Sequence, residues 1–274
     1  MKYSVVIPRC GGGVPYEGNP AEGCERADVE FVDGRGDNPG DARNDALNRA
    51  SGDWIIYCDA DDRLLPAVFD ALDRMIAAYP EADMIRYGYR TNIGPQANLS
   101  LWQYAYRRRT LGHLRFPPLT MGEDLLYLEK CLRTAKFVVR TDEIGYEHIV
   151  HTDSLSLRNP TKRTVLDTIA YTGEYLRLIG EGEPLLSISR FALSTRLVEH
   201  VPDWILSLPE EDHDPCWKRW FSELGDLRHN LTRWAALRRR CLLFLPSCGV
   251  AFLLCVLPHR LKRKLRRHER VRVG

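Results

Sequence analysis

Paired cysteines are absent from this sequence. Eight cysteines occur, yet none forms a CxxC pair or a spacing typical of a zinc site: Cys10, Cys24, Cys58, Cys131, Cys216, Cys241, Cys248 and Cys255. An apolar signal peptide is also missing, because Met1-Lys2-Tyr3 leads straight into a strand-like run. Together these absences predict reduced thiols and a cytoplasmic catalytic face.

A strong net charge is lacking as well, since 39 basic and 37 acidic residues leave a formal charge of +2. The balance hides an asymmetry, because basic residues are concentrated in the tail at residues 260–272. A second basic run, Arg107-Arg108-Arg109, is interpreted as the solvated end of a helix. No nucleic-acid-binding motif accompanies either run, so we predict no nucleic-acid partner.

No apolar run reaches the length of a typical membrane-spanning helix. The uncharged segment 241–257 has 17 residues, which as a helix would reach about 25 Å against a hydrocarbon core of roughly 30 Å. Basic residues flank both of its ends, so neither end is favoured for translocation. We interpret the segment as lying in or dipping into the cytoplasmic leaflet, peripheral at the inner face of the plasma membrane. The alternative is a buried helix that covers an apolar face of the protein, or a dimer contact.

Strand-like and helix-like segments alternate over roughly the first 150 residues. Such alternation predicts an α/β fold, a mostly parallel sheet flanked by helices and followed by a helical C-terminal region. Spacing and composition predict these strands: Tyr3–Pro8, Val29–Asp33, Trp54–Cys58, Ala82–Tyr89, Phe137–Arg140 and Ile144–Ile149. They predict these helices: Asp41–Ala50, Pro66–Tyr79, Leu99–Arg109 and Gly122–Thr134.

Three regions are expected along the chain. Residues 1–158 are interpreted as one α/β domain. Residues 159–236 are helical in pattern, and Trp217 and Trp220 are interpreted as packing residues rather than a binding platform. Residues 237–274 combine the apolar segment with the basic tail, which suggests membrane association.

Carboxylates gather at the end of the strand that begins at Trp54. Asp59, Asp61 and Asp62 follow the apolar run directly, and ligands of open α/β sheets bind at the carboxyl ends of strands. Crowded carboxylates repel each other unless a cation or hydrogen bonds compensate them, and Mg²⁺ and Mn²⁺ suit such oxygen ligands. A solvated acidic turn capping the helix near Pro66 explains the cluster equally well when it is considered alone.

Short motifs occur in a specific order along residues 2–156. In sequence they are Ile7-Pro8, Val32-Asp33-Gly34, Ala42-Arg43-Asn44, Asp59-Ala60-Asp61-Asp62, Glu123-Asp124 and His151-Thr152-Asp153-Ser154-Leu155-Ser156. Each motif is weak alone, but six in this order resemble family 2 glycosyltransferases of the GT-A fold. The resemblance implies that residues 1–158 form a GT-A-like nucleotide-sugar-binding and catalytic domain. It says nothing firm about the remainder, for which an acceptor-side role of residues 159–236 is the expectation.

The resemblance also implies a reaction and roles for individual residues. It implies metal-dependent, inverting transfer of a sugar from a nucleotide-diphospho-sugar to a hydroxyl of a saccharide or lipid-linked acceptor, as in cell-surface polysaccharide or glycolipid synthesis. The metal, Mn²⁺ or Mg²⁺, would be held by Asp59, Asp61 and His151, and Asp124 would be the catalytic base. The residues implied to bind the nucleotide-sugar are Pro8, Asp33, Arg43, Asn44, Asp59 and Glu123.

Two stretches are shorter than is usual in that family. Only Arg9–Asp28 separates the first two strands, and only Gly34–Asp41 precedes the Ala-Arg-Asn motif. The Asp-rich turn that helps to bind the base is reduced to Asp33-Gly34-Arg35-Gly36. These departures keep open a degenerate, non-catalytic GT-A-like binding or scaffold protein at the membrane. A metal-dependent nucleotidyltransferase is a weaker alternative.

Overall fold

The computed structural model describes residues 3–10, 20–94, 100–150, 160–180 and 200–224. The chain divides into two compact units between residues 158 and 159. The first unit contains a seven-stranded sheet with helices, and the described part of the second unit is helical. The α/β class expected from the sequence is confirmed.

One sheet runs through the first unit. Its strands are β1 (Tyr3–Cys10), β2 (Val29–Gly36), β3 (Trp54–Tyr57), β4 (Arg63–Leu64), β5 (Met84–Thr91), β6 (Tyr104–Arg107) and β7 (Val138–His148). They lie in the order β2-β1-β3-β6-β5-β7-β4. Strand β1 is parallel to β2 and β3, and β5 is parallel to β7, whereas the other three pairings are antiparallel. The sheet is therefore mixed and not mostly parallel as the sequence predicts, and the parallel strands β2-β1-β3 carry the first acidic motifs.

Strand β1 continues two residues past Pro8, where the sequence predicts its end. The N–H of Tyr3 donates to Asp28 O on the β2 side, and backbone groups of alternate residues face opposite neighbours. The nitrogen of Pro8 therefore faces β3, whose pairing with β1 ends at Val6 and Tyr57. A proline is tolerated at this position because no ladder donor is needed there.

Four helices belong to the first unit: α1 (Pro39–Arg49), α2 (Ala67–Ala78), α3 (Arg108–Leu111) and α4 (Glu123–Thr134). The start of α1 is fixed by Asn38, whose side-chain oxygen accepts the N–H of Asp41 at 2.9 Å. Gly34 in β2 allows α1 to approach closely, because a Cβ there would lie 1.8 Å from Ala42 O. This close packing fixes the position of Ala42 and therefore that of Arg43, the next residue of the helix.

The predicted helix Leu99–Arg109 is wrong. Leu101–Gln103 is a single 3₁₀ turn, after which the chain enters β6, the strand between β3 and β5. Tyr104 and Tyr106 are buried there, so pairing inside the sheet overrides a local pattern that also suits a helix. The basic run is not simply a solvated helix end, since the Arg107 guanidinium lies 4.5 Å from the centroid of the Trp54 ring.

Strand β7 is one element where the sequence predicts two strands. It pairs with β5 through two irregularities, between Arg86 and Gly88 and between Gly88 and Tyr89. Such bulges absorb extra residues without ending a strand. The strand consequently continues from its pairing with β5 to Tyr146 and Glu147, which pair with β4 just after the turn that follows β3.

The described part of the second unit has three helices, α5 (Lys162–Gly180), α6 (Val201–Ile205) and α7 (Glu210–Leu224). Its core includes Val165, Ile169, Trp217 and Trp220, and the two indole rings lie 4.9 Å apart. Both tryptophans are buried, as expected for packing residues. Among the helices described here, none has both the length and the apolar character needed to cross a membrane; the segment 241–257 lies outside the described residues.

Candidate functional site

The acidic turn after β3 holds its carboxylates in different environments. The N–H of Asp62 donates to Asp59 O at 3.1 Å, which closes the turn. Asp59 and Asp61 are partly exposed, whereas Asp62 is 1% exposed. The three acids therefore do not form one equivalent set of ligands.

Asp62 is surrounded by hydrogen-bond donors from the end of β7. Tyr146 Oη donates to Oδ2 at 2.6 Å, and the N–H of Ile149 donates to Oδ1 at 2.7 Å. His148 Nδ1 lies 3.1 Å from Oδ2 and 3.2 Å from Oδ1. Such a set compensates a buried carboxylate without a metal ion.

Tyr146 and His148 are site residues that sequence reasoning missed. The available signal is their alternation on β7, which puts both side chains on one face of the strand. The hydrogen bond to Asp62 raises the pKa of His148 above its ordinary value, against the effect of burial. Trp102 stacks on Tyr146 at 4.5 Å and on His148 at 5.4 Å.

Arg43 joins the acidic turn to the start of α4. Its Nη2 donates to Asp59 Oδ1 at 2.8 Å and its Nη1 donates to Glu123 Oε1 at 2.7 Å. Arg43 is 5% exposed and Glu123 is equally buried. The sequence motifs 42–44, 59–62 and 123–124 are thus brought together around one guanidinium group.

Burial raises the pKa of Glu123 to about 7, and the negative charge of Asp124 adds to the rise while Arg43 opposes it. Burial disfavours the charge on Arg43, but Asp59, Glu123 and Asp124 outweigh it and raise the pKa of the guanidinium. The half-buried Asp124 therefore acts electrostatically on both partners of the buried ion pair. This is the coupling expected when like and opposite charges share one small volume.

The start of α4 depends on Gly122. This residue has φ +85°, in the left-handed region that favours glycine. The turn lets the chain enter the helix with Glu123 and Asp124 in its first turn, where acidic side chains are favourable. The glycine before the acidic pair therefore has a direct structural reason.

Asn44 holds a loop rather than facing open space. Its Nδ2 donates to Phe116 O at 2.9 Å, and its Oδ1 accepts the N–H of Phe116 at 2.9 Å. The Phe116 ring stacks on Tyr127 at 3.9 Å, and the Arg43 guanidinium lies 5.5 Å from its centroid. Asn44 and Phe116 thus form one wall beside the Arg43 cluster.

Cys10, at the end of β1, is a further neighbour that sequence reasoning missed. Burial raises the pKa of its thiol; Arg43 opposes the rise, and Glu123 and Asp59 add to it. The Nε of Arg43 is buried with no hydrogen-bond partner among the described atoms. The carboxyl end of β1 therefore borders the same cluster.

The remaining predicted site residues are Pro8, Asp33 and His151. Pro8 is buried in β1 beside Gly34 of β2. Asp33 is exposed, and Arg9 Nε donates to its Oδ1 at 2.8 Å. His151 lies outside the described residues. Within the described ranges, no group of three or more His, Cys, Asp or Glu side chains is arranged to hold a metal ion.

Comparison with known families gives a match in this region. Residues 24–124 match the model for "Glycosyl transferase family 2", a range that begins before β2 and ends at Asp124. The chain carries a glycosyl transferase family 2 domain. The expectation of a family 2 glycosyltransferase is confirmed, and the matched part of this domain includes Arg43, Asp59 and Glu123. A search of curated protein sequences found no match.

Solved structures agree on the fold of this glycosyltransferase. Residues 1–349 of TarS from S. aureus in complex with UDP-GlcNAc share 17% identity and a TM-score of 0.59, over 89% of this chain and 86% of that one. The complex with UDP shares 15% identity over the same coverage, with the same TM-score. The mannosyltransferase PcManGT from Pyrobaculum calidifontis, in complex with GDP-Man and Mn²⁺, has 12% identity over 95% of this chain and 82% of that chain, with a TM-score of 0.42, too low to support an argument. The likeness to TarS confirms the GT-A-like fold.

Proposed function

We propose that this chain transfers a sugar from a nucleotide-diphospho donor to a hydroxyl acceptor with inversion, and that Asp124 is the base. The observation that carries the proposal is the double contact of Arg43 with Asp59 and Glu123. It joins the acidic turn after β3 to the helix start that carries Asp124. The candidate donor side and the candidate acceptor side therefore share one buried cluster.

Asp124 would accept the proton of the acceptor hydroxyl as that oxygen attacks the anomeric carbon. The new carbon–oxygen bond forms while the bond to the diphosphate breaks, and the nucleoside diphosphate leaves. A positioned base of this kind typically contributes about 10²–10⁴-fold.

A divalent cation fits the donor set of the turn. Asp59 and Asp61 are partly exposed carboxylates two residues apart, and Mg²⁺ commonly takes one or two carboxylates together with substrate phosphates. Asp62 would not contribute, because donors from β7 surround its oxygens. Mn²⁺ or Mg²⁺ bound there supplies neutralisation of the negative charge that develops on the departing diphosphate.

The acceptor and the location extend the proposal beyond the described residues. A saccharide or lipid-linked acceptor would suit synthesis of cell-surface polysaccharide or glycolipid. The apolar segment and basic tail at 237–274 would hold the enzyme at the inner face of the plasma membrane by attraction to anionic lipids. Vesicle co-sedimentation of the full chain, with and without anionic lipid, tests this part separately.

The direct test is a panel of nucleotide-sugars with Mn²⁺, scored by release of the nucleoside diphosphate. Asp124→Asn should lower turnover by about 10²–10⁴-fold while the melting temperature stays near that of the wild-type protein. Asp142→Asn is the matched control, since Asp142 is an exposed acid of the same unit that pairs with Arg140. Equal turnover in the two variants would remove Asp124 from the mechanism.

The ion pair between Asp59 and Arg43 favours a second candidate, binding without turnover, because a cation must compete with Arg43 for Asp59. Thermal unfolding with Mn²⁺ and UDP, GDP or CDP distinguishes the candidates. A nucleotide at 100 times its Kd stabilises by about 2.7 kcal/mol. Binding without release of nucleoside diphosphate supports the second candidate, and release of pyrophosphate instead supports a nucleotidyltransferase.

A further inference from the structure

We infer that Tyr146 and His148 are positioning residues, which fix the Asp59–Asp62 turn in the orientation that binds the metal–diphosphate group, and that Asp62 is their anchor and not a ligand. This inference rests on the proposed function. It means that β7, which is separated from β3 by β6 and β5 in the sheet, sets the geometry of the turn that follows β3.

Asp62 has no room to serve a metal ion. Its side chain is 2% exposed. Tyr146 Oη and the Ile149 N–H each donate to a different oxygen, at 2.6 and 2.7 Å, and His148 Nδ1 lies within 3.2 Å of both. Because an ionised carboxylate only accepts hydrogen bonds, each of these neighbours is a donor to it. The carboxylate is therefore saturated by protein groups.

Tyr146 connects the anchor to the proposed ligand turn. Its hydroxyl accepts the N–H of Asp59 at 3.1 Å while it donates to Asp62 Oδ2 at 2.6 Å. A single hydroxyl therefore holds the backbone at the first acid of the turn and the side chain at the last. Beyond the turn, the N–H of Leu65 donates to Gly145 O at 2.9 Å, which adds a second contact between β7 and this part of the chain.

Packing fixes the two rings independently of their hydrogen bonds. Trp102 lies nearly parallel to the Tyr146 ring, with centroids 4.5 Å apart at 7°, and stacks on His148 at 5.4 Å and 24°. Tyr146 is fully buried and Trp102 is 8% exposed. Removing the Tyr146 hydroxyl therefore removes the link to Asp59 and leaves the ring in its stack.

Tyr146→Phe is the decisive variant, and Tyr106→Phe is its matched control. Tyr106 is equally buried in the same sheet, and its hydroxyl donates to Leu101 O at 2.7 Å, away from the turn. The probe is Mn²⁺, titrated by electron paramagnetic resonance in the presence of whichever of UDP, GDP or CDP the wild-type protein binds. Groups that orient a metal ligand typically contribute about 10–100-fold to metal affinity. Tyr146→Phe should therefore weaken Mn²⁺ binding at least tenfold, while Tyr106→Phe should leave the Mn²⁺ affinity within twofold of the wild-type value.

His148 provides a second, independent arm. His148→Ala removes the donor to Asp62, whereas the amide N–H₂ in His148→Asn occupies nearly the position of Nδ1 and can restore it. We expect His148→Ala to weaken Mn²⁺ binding and His148→Asn to recover most of the affinity. A purely structural role would give the same Mn²⁺ affinity in both variants at equal melting temperature.

The outcomes separate this inference from the proposed function. If the wild-type protein binds no nucleotide with Mn²⁺, the proposed function fails and the inference fails with it. If the wild-type protein binds Mn²⁺ with a nucleotide but Tyr146→Phe matches Tyr106→Phe, the proposed function stands and the inference is overturned.

Discussion

Asp62 and Glu123 are both buried acids, but they are compensated differently. Asp62 is held by oriented O–H and N–H donors of β7, from Tyr146 and Ile149, with His148 beside them. Glu123 is held by the positive charge of Arg43, which it shares with Asp59. One acid is thus fixed by directional hydrogen bonds and the other by a shared cation.

The difference predicts a rigid turn at Asp62 and exchangeable contacts at Arg43. Three donors around Asp62 define one geometry for the turn, because each hydrogen bond has a preferred direction. Arg43 serves two acids at once, so a competing cation at Asp59 can displace one contact while the contact with Glu123 persists. In the proposed enzyme the β7 side would keep the turn in place, and the Arg43 side would respond to the metal and the donor.

Arg43→Met breaks the cation side of this comparison and should have the largest effect on stability. The substitution keeps an unbranched apolar stem but leaves Glu123 buried without its partner. Removing one member of a buried ion pair typically costs about 3–5 kcal/mol. Urea denaturation should show this loss, with an unchanged denaturant slope.

Two further variants sharpen that result. Arg49→Met removes an exposed arginine of the same helix, paired with Asp45 at 2.7 Å, and should cost less than about 1 kcal/mol. Glu123→Gln added to Arg43→Met should restore part of the lost stability, because the buried charge is gone. An equal loss in Arg43→Met and Arg49→Met would mean that the buried pair contributes nothing.

Asp62→Ala breaks the hydrogen-bonded side and should cost about 3 kcal/mol. It leaves the buried Tyr146 hydroxyl and the Ile149 N–H without their acceptor, and hydrogen bonds to charged groups are worth about 1.5–3 kcal/mol each. The free energy of unfolding from urea titration measures the loss. Asp33→Ala, at an exposed acid paired with Arg9, should stay within about 1 kcal/mol; comparable losses in the two variants would contradict the account of Asp62.

Local pattern predicts those elements whose burial follows one period. Strand β3 is a short apolar run and α2 has apolar residues at helical spacing, so both are found within a residue or two of their predicted ends. The helix predicted for residues 99–109 is wrong because β6 is determined by distant partners. It pairs with β3 and β5, and these pairings leave no signal in the local sequence pattern. The same reason hides the continuity of β7.

The same contrast between local pattern and long-range pairing applies to the candidate site. Motif order predicts the acids at positions 59–62 and 123–124, and the structure brings Asp59 and Glu123 together. The partners that compensate them come from long-range contacts, with His148 lying 86 positions from Asp62 in the chain. Sequence reasoning selects the chemical groups, while the pairing of β4 with β7 decides which of them are held rigidly.

The smallest expected effect is on pH dependence, which distinguishes Glu123 from His148, the histidine beside Asp62, by the pH range in which each titrates. Glu123 has an ordinary pKa of 4.5 and a folded value of about 7, so between these values the folded protein binds more protons and the free energy of unfolding falls with rising pH. The raised pKa of His148 contributes stability that is complete below pH 6.5 and is lost as pH rises through the folded value. Glu123→Gln should flatten only the lower window and His148→Asn only the upper one, measured by urea denaturation from pH 4.5 to 9. If either variant flattens both windows, Glu123 and His148 titrate as one group and the contrast between the two sides of the site is lost.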